Sequence, residues 1–170
     1  MFKISKSLQS VLVVEGQLYL SLLILLKLID QENTEGAREL ADHLLARIGK
    51  QGQRRSADPL NAKIYYYHSR VYELLNRSSE ARAIYMKCLR TTSLHGEIES
   101  ESVLMNVLLR NYMHNNLLDQ AEKLVSKSQF PESANNNEWA RYLYYTGRIK
   151  AIQLEYSDAQ KTITTGTLYF

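Results

Sequence analysis

The chain has 170 residues with only seven glycines and two prolines and with abundant Leu and Ala, a balance that favours helices and suffices for one domain or a short repeat array. Twenty-one Lys and Arg against 18 Asp and Glu leave a net charge of +3, too small to imply a nucleic-acid or membrane-surface partner. Cys88 is the single cysteine, which rules out an internal disulfide and suits a reducing compartment.

Met1 to Ser10, rich in Lys and Ser, reads as a loosely held start, and residues 1–12 are expected outside the folded part. A first helix is predicted from about Val13 to Leu28, apolar nearly all round and so buried among other helices. Its most apolar run, Tyr19 to Ile29, contains Lys27 and falls short of the roughly 20 residues a membrane span needs. Glu15-Gly16-Gln17 is no signal-cleavage site, so the expectation is a cytoplasmic and nuclear protein with no membrane partner.

After a turn at Asp30 to Asn33, Thr34 is placed to cap a second helix with the stripe Ala37, Leu40, Ala41, Leu44, Leu45 and Ile48. Gly49 to Ser56, with Lys50, Arg54 and Arg55, is the clearest loop, and Asp58-Pro59 signals the next start, Asp58 as cap. Helix three carries Ile64, Tyr65, Tyr66, Tyr67, Val71 and Tyr72, and Ser78 heads helix four. Thr91 to Gly96 breaks the pattern; helix five spans about Glu97 to His114, and Asn116 with Asp119 forms an Asn-headed capping box for helix six.

Ser126 to Asn137 is a long connection holding Phe130-Pro131. Helix seven, capped at Asn137, has two apolar faces: Trp139, Leu143, Gly147, Ala151 and Leu154 on one, Tyr142, Tyr145, Ile149, Ile152 and Tyr156 on the other. Gly147 is the small surface at which another helix comes close. An eighth helix begins near Ser157, and residues 161–170 are expected to fray, because Thr162 to Thr165 are β-branched and Gly166 disfavours continuation by roughly 1 kcal/mol.

A repeat organises these elements. An alanine opens the second helix of each pair at Ala37, Ala81, Ala121 and Ala159, at spacings of 44, 40 and 38 residues. Eleven residues before it stands an arginine in three units (Arg70, Arg110, Arg148), and seven after it a small residue (Cys88, Ser128, Gly166). Small residues let the second helix nest on the first, while larger ones fill the groove to the next pair. The register resembles a tetratricopeptide repeat. The fold class is therefore all-α, a right-handed superhelix (solenoid) of about four degenerate tetratricopeptide-like helical hairpins over residues 13–160.

Sites for chemistry do not emerge. His43, His68, His95 and His114 lack helical metal-pair spacing, and Gly49-Lys50-Gln51-Gly52 is no phosphate loop. Cys88 reads as a small core residue rather than a nucleophile, and Glu99 with Glu101 as a solvated face rather than an acid–base pair. Tyr65, Tyr66 and Tyr67 beside Lys63 and Arg70 could suggest base stacking, but neighbours on a helix point about 100° apart and make core contacts instead. The basic loop Lys50 to Arg55 is read as solvated. No catalytic, cofactor-binding or metal-ligating residue is assigned, and no enzyme, cofactor, small-molecule substrate or nucleic-acid partner is expected.

One set of words goes further: Leu108-Leu109-Arg110-Asn111-Tyr112, Ala121 to Ser128, Phe130-Pro131-Glu132, the run Asn135 to Tyr156, and more weakly Tyr65 to Glu73. These resemble the PCI-domain family of non-ATPase lid subunits in the 26S proteasome regulatory particle. The resemblance implies a non-catalytic scaffold that supports ubiquitin-dependent protein degradation by contacts with other lid and regulatory-particle subunits. It fades after Ala159, without the winged helix that completes a PCI domain, and so implies a truncated or alternatively spliced form carrying the repeats. The alternative from the repeats themselves is a general adaptor that binds a peptide or partner helix.

Overall fold

The computed structural model describes the backbone of residues 6–50 and 55–167, and side chains from Glu15 onward. Residues 1–5 of the expected loose start, positions 51–54 of the basic loop, Arg54 among them, and residues 168–170 lie outside the described residues. The elements are α1 (Lys6–Asp30), α2 (Thr34–Lys50), a 3-10 turn (Arg55–Ala57), α3 (Asp58–Leu74), α4 (Arg82–His95), α5 (Ile98–His114), α6 (Leu118–Lys127), α7 (Asn136–Ile152) and α8 (Tyr156–Thr167). The protein is all-α, and two compact units divide it, Met1–Asn76 and Arg77–Phe170.

The repeat register is visible in the backbone. Glu32, Asn76, Asn116 and Leu154 all have positive φ, between 54° and 68°, and each stands five residues before one of the four alanines. Those alanines are buried, Ala37, Ala81 and Ala121 completely. In three of the turns the residue after the positive-φ position donates its N–H to a carbonyl five residues back: Asn33 to Leu28, Leu117 to Tyr112 and Glu155 to Lys150, at 2.8–3.0 Å. This closure satisfies carbonyls that the ending helix leaves orphaned, and it reverses the chain in a few residues. Gly96, at φ 66°, ends α4 with the same closure, Glu97 N–H to Thr92 O.

In the first unit α1 and α3 both pack on α2. Leu18, Leu22 and Leu25 of α1 are buried, as are Ala41 and Leu44 of α2 and Ile64, Tyr65 and Val71 of α3. The expectation that α1 is buried all round is corrected, since Tyr19, Leu20, Leu23 and Ile24 are exposed. Within its unit α1 meets helices on one side only. It also starts at Lys6 rather than near Val13.

The second unit is built around α5, which packs against α4, α6 and α7. Every residue from Val103 to Leu109 is buried, the signature of a helix enclosed on all sides. Two of its polar residues tie down neighbours. Asn106 donates its amide to the Glu138 backbone carbonyl (2.9 Å) and carboxylate (2.8 Å) at the start of α7. Asn111 donates to the Ser78 carbonyl (2.6 Å) and accepts from Arg82 Nε (2.9 Å).

The helix starts differ in detail from the sequence expectation. Asn33, not Thr34, caps α2, accepting from the Gly36 N–H at 3.1 Å, and Asn135, not Asn137, caps α7, accepting from the Asn137 N–H at 3.1 Å. Asp58 lies inside the first turn of α3 behind Ala57, with Pro59 where it fits. Ser78 and Asn116 do not cap: Ser78 is held by Asn111 and Asn115, and Asn116 provides the positive-φ turn. α4 continues through Thr91 to His95, so the break falls at Gly96 alone.

α7 and α8 meet at two glycines. A Cβ on Gly147 would lie 2.5 Å from Ile163 Cγ1 and 3.4 Å from the Ala159 carbonyl oxygen, and one on Gly166 would lie 3.2 Å from Leu143 Cβ. The close crossing read from Gly147 is present. It also accounts for the extent of α8, which continues to Thr167, past Lys161 where fraying is expected, because Gly166 is seated against α7.

Two outcomes follow. Gly147→Leu overpacks the crossing and lowers stability by about 1–3 kcal/mol, read as a drop in the thermal midpoint; an unchanged midpoint would place residue 147 on a free surface. Leu154→Asn acts oppositely. A leucine at positive φ is strained by roughly 1–2 kcal/mol and this one is 69% exposed, so asparagine relieves strain with little packing lost, and the midpoint should rise.

Candidate interaction groove

An open groove of ≈ 1570 Å³ lies within the second unit. Met86, Leu89, Arg90 and Leu94 of α4 and Gln120, Lys123, Leu124 and Lys127 of α6 line it, with Tyr112 of α5, the segment Ser128 to Glu132, and Trp139 and Tyr142 of α7. Small-molecule pockets are about 300–1,000 Å³ and enclose their ligands, so the dimensions suit a polypeptide segment better.

Its aromatic end follows from the chain. The Phe130-Pro131 connection turns the buried Phe130 ring onto α7, whose Trp139 and Tyr142 share a face at a spacing of three residues. Phe130 stacks on Tyr142 with centroids 4.4 Å apart and tilts against Trp139 at 5.1 Å. Burial pushes the Tyr142 hydroxyl above its ordinary pKa, so it stays protonated and able to donate. Burial raises Tyr112 as well, with the guanidinium of Arg82, 5.5 Å above its ring, working against the shift.

Arg90, Lys123 and Lys127 supply positive charge at the lining and form no ion pair among the described residues; Glu101 and Glu132 supply the negative charge. No histidine lines the groove. A groove lined by aromatic, aliphatic and charged side chains together can hold a protein segment.

The residues singled out in the sequence stay apart. Cys88 is half-buried on α4, and His43, His95 and His114 are exposed on three different helices. No group of three potential metal ligands occurs among the described residues. Tyr65 is buried, Tyr67 half-buried and Tyr66 38% exposed, and the Tyr66 and Tyr67 rings meet edge to face at 5.1 Å rather than lying parallel as a stacking platform would. Glu99 and Glu101 are half-buried rather than on a solvated face, and Glu101 reaches the groove. Among the described residues, no helix is long and apolar enough to cross a membrane.

Residues 2–167 match the family described as "PSMD3-like, N-terminal TPR repeats". The chain is 52% identical over 149 residues to the Drosophila melanogaster "Probable 26S proteasome non-ATPase regulatory subunit 3", an alignment covering 88% of this chain and 30% of that protein. It is 42% identical over 151 residues to the Dictyostelium discoideum "26S proteasome non-ATPase regulatory subunit 3", and 40% identical over 151 residues to the Schizosaccharomyces pombe "Probable 26S proteasome regulatory subunit rpn3", covering 89% of this chain and 30% of each relative. The chain thus spans about 30% of the length of these curated relatives.

One polar cluster escaped the sequence reading. In the first unit the Asp42 carboxylate of α2 takes hydrogen bonds from Tyr72 Oη (3.0 Å) and Arg38 Nη1 (3.3 Å), and lies 3.1 Å from His68 Nε2. His68 is completely buried and stacks on Tyr72 at 4.8 Å. Burial lowers its pKa, outweighing the opposing pull of Asp42. The unfolded chain therefore takes up a proton near pH 6.5 that the folded unit refuses. Above that pH the group contributes no pH dependence; below it, stability declines by at most about 1.4 kcal/mol per pH unit until the folded pKa is reached. Between pH 7 and pH 5 the thermal midpoint of the native chain should fall more steeply than that of His68→Gln, and parallel profiles would remove His68 as the cause.

Proposed function

The chain belongs to the family of PSMD3-like N-terminal TPR repeats, and from that membership we propose that it is a non-catalytic scaffold of the 26S proteasome regulatory particle lid. In this reading it supports ubiquitin-dependent degradation by contacts with other lid and regulatory-particle subunits, in the cytoplasm and nucleus. The match over residues 2–167 carries the proposal, and the repeat backbone supports it: regular hairpin turns on buried alanines present long helical faces. The absence of catalysis belongs to the same reading, which assigns the titratable cluster at Asp42 to holding α2 against α3.

The aromatic groove favours a second reading, binding of a peptide or helix from a client outside the proteasome. Purification of the tagged chain from cells separates the two. Recovery of lid subunits in stoichiometric amounts is the expected result, whereas recovery of unrelated proteins with no proteasome component would overturn the scaffold assignment.

A further inference from the structure

Between pH 7 and pH 5 histidine is the side chain whose charge ordinarily changes. The chain has four: His43, His95 and His114 are exposed, while His68, on α3 of the first unit, is completely buried. Burial is what makes the folded and unfolded chains differ in proton uptake, so the response to mild acid is concentrated at this one ring.

The ring sits where α2 meets α3. Its Nε2 lies 3.1 Å from Asp42 Oδ1, and the Tyr72 ring stacks on it at 4.8 Å. A proton added here meets a carboxylate that is already engaged, since Oδ1 accepts from Tyr72 Oη at 3.0 Å and Oδ2 from Arg38 Nη1 at 3.3 Å. The Asp42 side chain is 38% exposed, so water screens its pull on an imidazolium, whereas His68 bears the full cost of burial. The other elements packed on these helices are α1 and the 3-10 turn, and among the described residues they bring no compensating charge: Glu15 is bonded to Ser56, and Lys27, Asp30 and Arg55 are exposed. On α3 itself, Arg70 and Glu73 pair with each other.

We propose that the contact of Asp42 with His68 and Tyr72 is an acid-sensitive clasp: on mild acidification α2 parts from α3, and the first unit opens while the second stays folded. The imidazolium regains its hydration only when the ring leaves the buried seam, and that seam is the one α2 and α3 share. Ala41, Leu44, Ile64 and Val71, buried in the same unit, lose their cover with it. The second unit holds no buried histidine, so it has no corresponding reason to open over this range. The device is independent of the scaffold reading, because every group it uses belongs to the first unit.

Amide hydrogen exchange on the full chain in steps between pH 7 and pH 5, corrected for the intrinsic pH dependence of exchange, reads the opening of each unit separately. Protection at Ala41, Leu44 and Val71 should fall by up to about tenfold per pH unit below about pH 6.5, while protection from Val103 to Leu109 stays constant. His68→Gln should abolish the slope in the first unit, whatever its protection at pH 7. Asp42→Asn removes the carboxylate that favours the imidazolium, so the slope should persist and extend to lower pH. Should His68→Gln fail to fold, the imidazole signal of the native chain gives the same readout: His68 should remain neutral in the closed population below the ordinary histidine value. The clasp is overturned if first-unit protection is constant with pH, which would mean that Asp42 retains the imidazolium in place, if both units lose protection together, or if the slope survives His68→Gln.

Discussion

The fold depends on a coupling between a reversed turn and a small buried residue. Positive φ at Glu32, Asn76, Asn116 and Leu154 ends one helix, and five residues later an alanine lies buried at the start of the next. Within either unit, a larger side chain at the alanine would push the second helix of its pair away from the first, and a turn one residue longer would rotate that helix by about 100° and present its polar face. Turn and alanine therefore constrain each other.

Within the second unit that constraint is reinforced by polar side chains where a repeat would be expected to use apolar ones. Asn106 and Asn111 are 5% exposed, so their amides would be costly without partners. Their partners are backbone carbonyls at the ends of neighbouring elements, Glu138 at the start of α7 and Ser78 before α4. A hydrogen bond to one particular carbonyl fixes the register of a helix along its axis, which apolar packing alone specifies only loosely. α5 thus determines where α4 and α7 begin, and α7 carries the aromatic end of the groove.

Features that depend on local spacing were legible in the sequence. The alanine register, the eight helices and the close crossing at Gly147 follow from residue size and the 3.6-residue period. Features that depend on a distant partner were not. Asp42 meets His68 across 26 residues and Tyr72 across 30, and nothing in the local pattern of any of the three marks the meeting. The one-sided burial of α1 escaped for a related reason, since an apolar face shows that a helix can be covered and not that a neighbour is there. Helix caps were misplaced by one to three residues because Asn, Thr and Ser cluster before several starts, whereas α3, α4 and α6 begin behind Ala57, Ala81 and Leu117 with no side-chain cap. The groove combines both difficulties: Phe130 and Tyr142 were each legible as apolar, but their stacking needed the course of the connection between α6 and α7.

The last hairpin shows how one register can be met with different residues. Its turn uses a leucine where the two preceding turns use asparagine, and its helices touch through glycines rather than through alanine alone. The strained leucine weakens the turn, while the glycines bring the axes together and let Ile163 lie over Gly147 and Leu143 over Gly166. α7 and α8 are held chiefly by the crossing, and the turn that joins them contributes less than its counterparts do. In a repeat array each hairpin needs only to keep its register, so strain at a turn is tolerated when the helices it connects lock elsewhere. That separation frees Leu154 to be chosen for something other than stability.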